Sequence, residues 1–252
     1  LFQLTYFTAG VKEDIMKAWS LTDIGLKRIE NEDFYYCDAA NGLFLIADGM
    51  GGHAGGEVAS ATAVKVFRDH FMGVTAENYQ KEIADLFLLA NREIYDLAQR
   101  KKQLKGMGTT FVATIVSENQ LYIGYVGDSR VYLYRQGGIH CLTQDQNVAG
   151  QLVREGELTE EEAMEHPGKN LLTNAMGTHP TLDIAFIHES LEANDMLLMC
   201  TDGLNSFLST SDLEGIIRKY EKDPSKALDK MLKTALERGG DDNITIILTK
   251  NS

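Results

Sequence analysis

The sequence predicts an α+β fold in which antiparallel sheets pack together and pairs of helices lie outside them. Strand-like and helix-like segments come in separate runs, in the order strands, helices, strands, helices and a last strand. A parallel doubly wound sheet would alternate strands with helices instead. Short turns separate the strands within each run, which is typical of antiparallel meanders. The helices come in pairs, each with one apolar face, as expected of outer layers.

The first run contains three short strands. Apolar and aromatic residues between polar or glycine turns predict strands over residues 19–22, 34–37 and 43–47. The third segment is apolar at every position from Leu43 to Ala47. A short, continuous apolar run of this kind indicates a fully buried strand.

Two long amphipathic helices are predicted next, over residues 57–71 and 79–103. Apolar residues recur in them at spacings of three and four, so that Ile83, Phe87 and Ile94 share one face of the second helix. Each helix therefore has a face to bury against a sheet.

The second half of the chain repeats this order of elements. Glu-Asn, Gly-Asp-Ser and Gly-Gly turns separate strands predicted over residues 110–116, 121–126, 131–135 and 139–142. Two further strands, two helices and a last strand are predicted over residues 182–188, 196–201, 210–220, 224–238 and 244–249.

A segment without a strong pattern interrupts the second half at about residues 145–175, and we name it the flap. Residues 147–163 are acidic and weakly helical, and residues 168–178 are irregular. We expect the flap to lie on the surface and to influence access to a site. Its acidic run is most simply a solvated face and consists of Glu155, Glu157, Glu160, Glu161 and Glu162.

Composition limits the number of domains and the kinds of partner. A chain of 252 residues, 44% of them hydrophobic, can form one large core. We therefore expect a single domain over residues 18–252, preceded by an N-terminal extension of unknown role over residues 1–17. The net charge of −13 argues against nucleic-acid partners, because binding phosphate backbones needs a field of Lys and Arg.

The cysteines and the hydropathy pattern predict a cytoplasmic protein that does not bind membranes. Cys37, Cys141 and Cys200 are odd in number, widely spaced and set among apolar residues, as expected for reduced thiols in a core. The sequence has no stretch approaching the roughly 18–20 consecutive apolar residues of a membrane span. We expect a monomer.

An Asp-Gly pair occurs twice directly after an apolar run and is the most informative feature of the chain. The two carboxylates are Asp48 and Asp202. A carboxylate at the end of a buried strand is held on a rigid element, so two such ends could share one metal site. Taken alone, each pair is more simply a hairpin turn.

Further acidic residues occur at three other strand edges, at Glu32-Asp33, Asp128 and Asp241-Asp242. If the fold brought these groups together they would repel one another unless a cation neutralised them. Carboxylates with few His and no clustered Cys select oxygen-preferring ions, so Mg²⁺ or Mn²⁺ is favoured over zinc or copper.

The stretch between Asp48 and Glu57 contains four glycines besides Gly49, directly between a strand and a helix. Glycines allow close backbone approach or a positive φ. The carbonyl of Gly49 could be a neutral ligand beside Asp48, and the following helix N-terminus favours an anion. The alternative is a merely flexible loop.

Arg28 lies close in sequence to the first acidic pair. Its planar guanidinium could bind two oxygens of a substrate phosphate at once. An ordinary surface arginine paired with Glu30 or Glu32 is the alternative.

Five short blocks of sequence, in a fixed order over about residues 18–249, provide more specific information. They are Arg28 with Asn31-Glu32-Asp33, Asp48-Gly49-Met50-Gly51-Gly52-His53, Gly127-Asp128-Ser129-Arg130, Cys200-Thr201-Asp202-Gly203 and Gly239-Gly240-Asp241-Asp242-Asn243-Ile244-Thr245. Each block is weak alone, whereas together they closely resemble the metal-dependent protein phosphatases of type 2C, in their short bacterial form.

This resemblance implies a fold and a set of site residues. The fold is a four-layer α/β/β/α sandwich of two central antiparallel sheets flanked by helix pairs. The implied roles are a bridging metal carboxylate for Asp48, a carbonyl ligand for Gly49, metal ligands for Asp202 and Asp242, water-mediated ligands for Glu32 and Asp33, a third-ion ligand for Asp128 and phosphate binding for Arg28.

The resemblance also implies an activity. The chain would be a protein serine/threonine phosphatase that uses two Mn²⁺ or Mg²⁺ ions, with a weaker third ion, and hydrolyses its substrate by attack of a metal-bridging water without a phosphoenzyme. Its partners would be phosphorylated proteins, the targets of a cognate Ser/Thr kinase. A catalytically silent binding module on the same fold is the alternative, and a two-metal nuclease is disfavoured by the acidic charge.

Four residues depart from the family pattern. His53 lies three residues after the place where longer members have a general-acid His. It is a candidate acid or, alternatively, a helix cap or a partner of a neighbouring carboxylate. Gln146 and Asn147 replace His-Ser of an Asp-His-Ser motif, and Lys169 stands where Arg is common. We expect the changes at Gln146, Asn147 and Lys169 to affect substrate preference more than catalysis.

Overall fold

Two antiparallel β-sheets form the centre of the molecule in a computed structural model that describes residues 16–51 and 55–251. In chain order the strands are β1 (Met16–Asp23), β2 (Asp33–Asp38), β3 (Leu43–Met50), β4 (Gly108–Thr109), β5 (Phe111–Ser117), β6 (Gln120–Val126), β7 (Arg130–Arg135), β8 (Gly138–Cys141), β9 (Ala185–Ser190), β10 (Met196–Cys200) and β11 (Ile244–Asn251). The first sheet has the order β1-β11-β10-β7-β8, and the second has the order β2-β3-β5-β6-β9 with β4 paired to β3.

Helices cover the outer face of each sheet. In chain order the α-helices of the described residues are α1 (Gly55–His70), α2 (Tyr79–Arg100), α3 (Val148–Arg154), α4 (Glu160–Glu165), α5 (Asp202–Asn205), α6 (Thr210–Tyr220) and α7 (Pro224–Arg238). Helices α1 and α2 pack on the second sheet, and α6 and α7 pack on the first. The predicted four-layer α/β/β/α sandwich is confirmed.

The strands are apolar on both sides because both faces of each sheet are covered. In β3, Leu45 and Ala47 face α1 and α2, while Phe44 and Ile46 face the first sheet. Successive side chains of a strand point to opposite faces, so the continuous apolar run from residue 43 to 47 supplies two cores at once. None of the helices in the described part of the chain is both long and apolar enough to span a lipid bilayer.

Several element boundaries differ from the prediction. Strand β3 continues through Asp48 and Gly49, because Gly49 pairs with Thr109 of β4, so this Asp-Gly pair lies inside a strand. The strand predicted from residue 182 begins at Ala185. Ala185 pairs with Tyr125, which is the last but one residue of β6, so β6 offers little backbone for pairing before Ala185. Strand β1 begins at Met16, inside the predicted N-terminal extension.

The flap contains α3 and α4 and is anchored at both ends. The backbone of Asn147 forms an isolated bridge with Leu172, so the entering and leaving strands of the flap lie side by side. Thr159 caps α4 through a capping box with Glu162. The five glutamates of the acidic run are exposed, which confirms their interpretation as a solvated face.

The core between the sheets predicts the effect of truncating a side chain. Phe44 is fully buried there, whereas Phe34 of the neighbouring β2 is 43% exposed. We expect Phe44→Ala to lower the free energy of unfolding by about 3–5 kcal/mol, because it leaves a cavity. Phe34→Ala, the matched control, should cost about 1 kcal/mol or less. Urea denaturation of both variants measures this, and equal losses would contradict the assignment of the core.

Candidate active site

Carboxyl groups from both sheets meet at one end of the sandwich. Burial, followed by the negative charges of Asp33, Asp202, Asp242 and Asp128, holds the pKa of Asp48 well above its ordinary value. Four acidic residues from separate parts of the sequence therefore lie within electrostatic range of the Asp48 carboxyl group. The fold brings together the acidic strand edges that the sequence identified.

Asp33 and Asp48 are direct partners across the pair of strands β2 and β3. The Oδ2 atom of Asp33 accepts hydrogen bonds from the hydroxyls of Thr201, at 2.9 Å, and Thr245, at 2.6 Å. Its Oδ1 atom is buried and has no partner in the described part of the chain. Burial, only partly opposed by these two hydrogen bonds, raises the pKa of Asp33 to about 7.

Two threonines that precede β5 fix the backbone of Asp48. Its N–H donates to the Thr110 hydroxyl at 3.0 Å, and its carbonyl accepts from the N–H of Thr110 at 2.9 Å and the hydroxyl of Thr109 at 2.8 Å. The Thr110 hydroxyl also lies 2.8 Å from that of Ser129. The position of Asp48 is thus connected to the turn that holds Asp128.

Glycines let β3 approach the start of α1. A Cβ atom on Gly49 would lie 2.2 Å from the carbonyl oxygen of Gly56, and one on Gly56 would lie 2.5 Å from Oε1 of Glu32. The Gly56 N–H donates to the Glu32 carboxylate, while burial raises the pKa of this group. Close backbone approach, rather than simple flexibility, is the role of these two glycines.

Asp202 is the first residue of α5, and Thr201 alone separates it from the end of β10. Its Oδ1 atom is buried without a hydrogen-bond partner among the described residues. Burial and the negative charge of Asp242 raise the pKa of Asp202 to about 6. The second Asp-Gly pair therefore joins a strand to a helix and is not a hairpin turn.

The loop between β1 and β2 is attached to the loop before β11. Arg28 forms an ion pair with Asp242, with Nη2 and Oδ2 at 2.6 Å, and the neighbouring Lys27 pairs with Asp241 at 2.7 Å. Burial lowers the pKa of Arg28, but the charge of Asp242 and the hydrogen bond to Asp242 outweigh burial, so the pKa of Arg28 is raised. Arg28 therefore belongs to the site, and the alternative pairing with Glu30 or Glu32 is not observed.

Asn243 connects the same two loops with three hydrogen bonds. Its Oδ1 atom accepts from the Glu32 N–H at 2.8 Å, and its Nδ2 atom donates to the carbonyls of Ile24 and Glu30, both at 3.0 Å. Asn243 is 4% exposed. It holds Glu32 and Arg28 in position.

Asp128 lies at the end of the site nearest the flap. Burial and the charges of Asp202 and Asp145 hold its pKa well above the ordinary value. Its Oδ2 atom accepts a hydrogen bond from Nδ2 of Asn147 at 2.9 Å.

The donor set fits an oxygen-preferring divalent cation. Within residues 16–51 and 55–251, no three His, Cys, Asp or Glu side chains form a ready chelating set. However, the unpartnered Oδ1 atoms of Asp33 and Asp202 are buried among mutually repelling carboxyl groups. Mg²⁺ and similar ions retain several waters and need few protein ligands each, so this arrangement suits them.

The structure brings together eight of the residues proposed from the sequence: Arg28, Glu32, Asp33, Asp48, Gly49, Asp128, Asp202 and Asp242. His53 lies outside the described residues. Sequence reasoning missed the uncharged residues that hold them, chiefly Thr201, Thr245, Asn243 and Asn147. Thr201 and Asn243 stand next to predicted ligands in the sequence, and this position was the available signal for those two.

Comparison with known proteins identifies the family. Residues 27–244 match the model for protein phosphatase 2C. The serine/threonine phosphatase stp of Listeria innocua is 35% identical over 244 residues, with 94% of this chain and 96% of that protein covered. The chain belongs to the protein phosphatase 2C family. It is therefore a metal-dependent serine/threonine phosphatase, as the sequence motifs implied.

Solved structures of the protein phosphatase 2C family support the fold. The serine/threonine phosphatase Stp1 from Staphylococcus aureus has a TM-score of 0.88 to this chain at 30% identity, covering 97% of this chain and 100% of that one. The catalytic domain of the phosphatase PstP, in complex with two manganese ions, has a TM-score of 0.82 at 30% identity, covering 93% and 97%.

The raised pKa of Asp33 predicts a pH dependence of stability. Its pKa is about 7 in the folded chain and about 3.9 in an unfolded one, so between these values the folded state binds the extra proton. The free energy of unfolding therefore falls as the pH rises through this window. The Asp33→Asn variant has no group at this position to titrate. Its free energy of unfolding minus that of the wild type should therefore increase from about pH 4 to pH 7.

Urea denaturation of EDTA-treated protein across this pH range measures the difference. Asp229→Asn, at an exposed position of α7, is the matched control and should follow the wild-type curve. A stability difference between Asp33→Asn and the wild type that does not change with pH would contradict the burial of a neutral carboxyl group.

Proposed function

We propose that this phosphatase hydrolyses phosphoserine and phosphothreonine esters by direct attack of water, without a phosphoenzyme. The observation that supports this proposal is the position of Arg28, half-exposed at the rim of the buried carboxyl cluster and paired with Asp242. A phosphate bound by Arg28 would lie beside these carboxyl groups, where water can be held and oriented.

The cysteines do not provide an alternative nucleophile. Burial raises the pKa of Cys37 to about 12 and that of Cys141 to about 11, and it raises the pKa of Cys200 as well. A thiol needs to be ionised at neutral pH to attack an ester. A thiolate mechanism is therefore disfavoured.

We assign the metal-holding residues by their positions. Asp48, the Gly49 carbonyl, Asp202 and Asp242 would hold two Mn²⁺ or Mg²⁺ ions, with Glu32 and Asp33 acting through water. Asp128, with Asp202, would hold a weaker third ion. Bound divalent ions would neutralise charge and lower the pKa of the attacking water.

Arg28 and Asp33 would bind the phosphate and the attacking water, respectively. The planar fork of Arg28 is suited to bind two phosphate oxygens and to orient the phosphorus toward the carboxyl cluster. The free Oδ1 atom of Asp33 is an acceptor for a water hydrogen, while its other oxygen is fixed by Thr201 and Thr245. Protonation of the leaving oxygen by His53 stays a prediction.

We further propose that the substrates are phosphorylated proteins, targets of a cognate Ser/Thr kinase, and that the protein acts as a cytoplasmic monomer. The net charge of −13 favours proteins over nucleic acids as substrates. Comparing cleavage of a phosphopeptide with cleavage of single- and double-stranded DNA tests this choice.

The first prediction for activity concerns the metal ligands. Mutating a group that surrounds a metal ligand typically lowers metal affinity or activity by about 10–100-fold, and removing a direct ligand should lower it further. We therefore expect Asp202→Asn and Asp48→Ala to lower kcat/KM on a phosphothreonine peptide by more than about 100-fold. EDTA should abolish activity, and added Mn²⁺ should restore it. Asp229→Asn is the control, and near-normal activity of either folded ligand variant would contradict the assignment.

The second prediction for activity separates Arg28 from its neighbour. Both Lys27 and Arg28 pair with an aspartate of the same loop. Arg28 also interacts electrostatically with Glu32 and Asp48, whereas the Lys27 side chain is 63% exposed. Arg28→Ala should lower kcat/KM by about 10–150-fold at saturating Mn²⁺, corresponding to 1.5–3 kcal/mol for a hydrogen bond to a charged group. Lys27→Ala should change kcat/KM by less than about twofold. Similar losses in both variants would indicate that this loop has only a structural role.

A further inference from the structure

The loop between β1 and β2 carries apolar side chains on its surface, on both sides of Arg28 in the sequence. Of the seven large apolar side chains that are exposed in the described part of the chain, three lie within residues 24–29. They are Ile24, Leu26 and Ile29, which are 38%, 65% and 93% exposed. Single exposed apolar side chains are common, whereas a group of them beside a site is typical of an interaction surface.

The backbone of this loop is held in a fixed conformation. The Leu26 N–H donates to the carbonyl of Gly240 at 2.7 Å. Gly25 has a φ of +78°, and a Cβ atom at this position would overlap the carbonyl oxygen of Asp242. The side chain of Asn243 bonds the loop at three further backbone groups. Because the loop is already ordered, covering its apolar side chains requires little further loss of backbone entropy.

Leu26 is supported from below by the start of the loop before β11. A Cβ atom on Gly240 would lie 3.1 Å from Cγ of Leu26 and 3.0 Å from Cδ2 of Leu236 in α7. The two leucine side chains therefore lie over the same glycine. Ile29, by contrast, extends into solvent on the other side of Arg28 in the sequence.

The position of Arg28 determines which part of a substrate reaches these side chains. Neighbouring Cα atoms of a chain are about 3.8 Å apart, so Ile29 starts one such step from Arg28 and Leu26 starts two. An extended peptide has the same spacing. When its phosphoresidue is bound by Arg28, the residues one or two positions away are therefore within reach of Leu26 and Ile29.

We propose that Leu26 and Ile29 form a specificity surface that binds an apolar side chain one or two residues from the phosphoserine or phosphothreonine of the substrate. The inference rests on the proposed function, in which Arg28 binds the phosphate. Burial of apolar surface is favourable in proportion to the area removed from water. Phosphoproteins with an apolar neighbour at these positions are therefore preferred over those with a polar neighbour.

Matched changes in the peptide and in the protein test this contact. In the reference peptide, two asparagines precede phosphothreonine and two follow it. In each of four further peptides, leucine replaces one of these asparagines. Ile29→Asn is the first protein variant, because a side chain this exposed contributes little to the fold, and Leu26→Asn is the second. Met72→Asn is the matched control, since Met72 is 95% exposed and lies between α1 and α2.

The quantity measured is kcat/KM for each leucine peptide divided by kcat/KM for the reference peptide, at saturating Mn²⁺. This ratio cancels any effect that a variant has equally on both peptides, including a displacement of Arg28. The wild type should favour at least one leucine peptide by about 5–20-fold, since each buried methylene group contributes about fourfold. The difference should lie mainly in KM.

The variants should change this ratio unequally. In Ile29→Asn the ratio should fall below about twofold, and in Leu26→Asn it should be lower than in the wild type, because both remove apolar surface. Met72→Asn should retain the wild-type ratio. Sedimentation velocity of the wild type and of Ile29→Asn shows, in parallel, whether a second copy of the chain covers the same surface.

The outcomes separate this inference from the proposed function. A wild-type ratio near one for all four leucine peptides, or an unchanged ratio in both Ile29→Asn and Leu26→Asn, would overturn the inference and leave the catalytic proposal intact. A wild-type dimer that Ile29→Asn dissociates, without any leucine preference, would assign the surface to a second copy and also overturn it. Failure of the wild type to hydrolyse any of the five peptides with Mn²⁺ would overturn the proposed function itself.

Discussion

The burial of several carboxyl groups at one place is the constraint on which the rest of the structure depends. Asp33, Asp48, Asp128 and Asp202 are held in a region where burial raises the pKa of each and neighbouring charges raise it further. Removing an ion from water costs several kcal/mol, and like charges add to that cost. Hydrogen bonds from threonine hydroxyls and asparagine amides offset only part of it. Protonation of the carboxyl groups or a bound cation can supply the rest, so this cluster is suited to metal-dependent chemistry.

The two-sheet architecture provides the rigidity that this cluster requires. Asp33 and Asp48 belong to the second sheet, whereas Thr201 and Thr245, whose hydroxyls bond Asp33, flank the first sheet at the ends of β10 and β11. The site therefore depends on the packing between the sheets.

Sequence reasoning succeeded where local pattern and long-range packing agree. The bounds of α6 and α7 were predicted correctly, because Ser209 and Asp223 cap them and their apolar faces are regular. The two-residue β4 and the four-residue α5 were missed, since elements this short have no periodicity and exist through contacts distant in sequence. For the same reason the extension of β3 through Asp48 could not be seen, as it depends on pairing with Thr109.

In the site, the charged residues could be predicted and their neutral partners could not. An isolated Thr or Asn is common in any sequence, and its partner here lies far away: Thr245 is 212 positions from Asp33, and Asn243 is 211 from Glu32. Gln146 and Asn147 show the consequence. Read as departures from a family motif, they suggested an effect on substrate preference. In the structure their side chains bind Gly127 and Asp128, each 19 positions away in the sequence, contacts that a comparison of motifs could not reveal. Their effect on substrate preference stays a prediction.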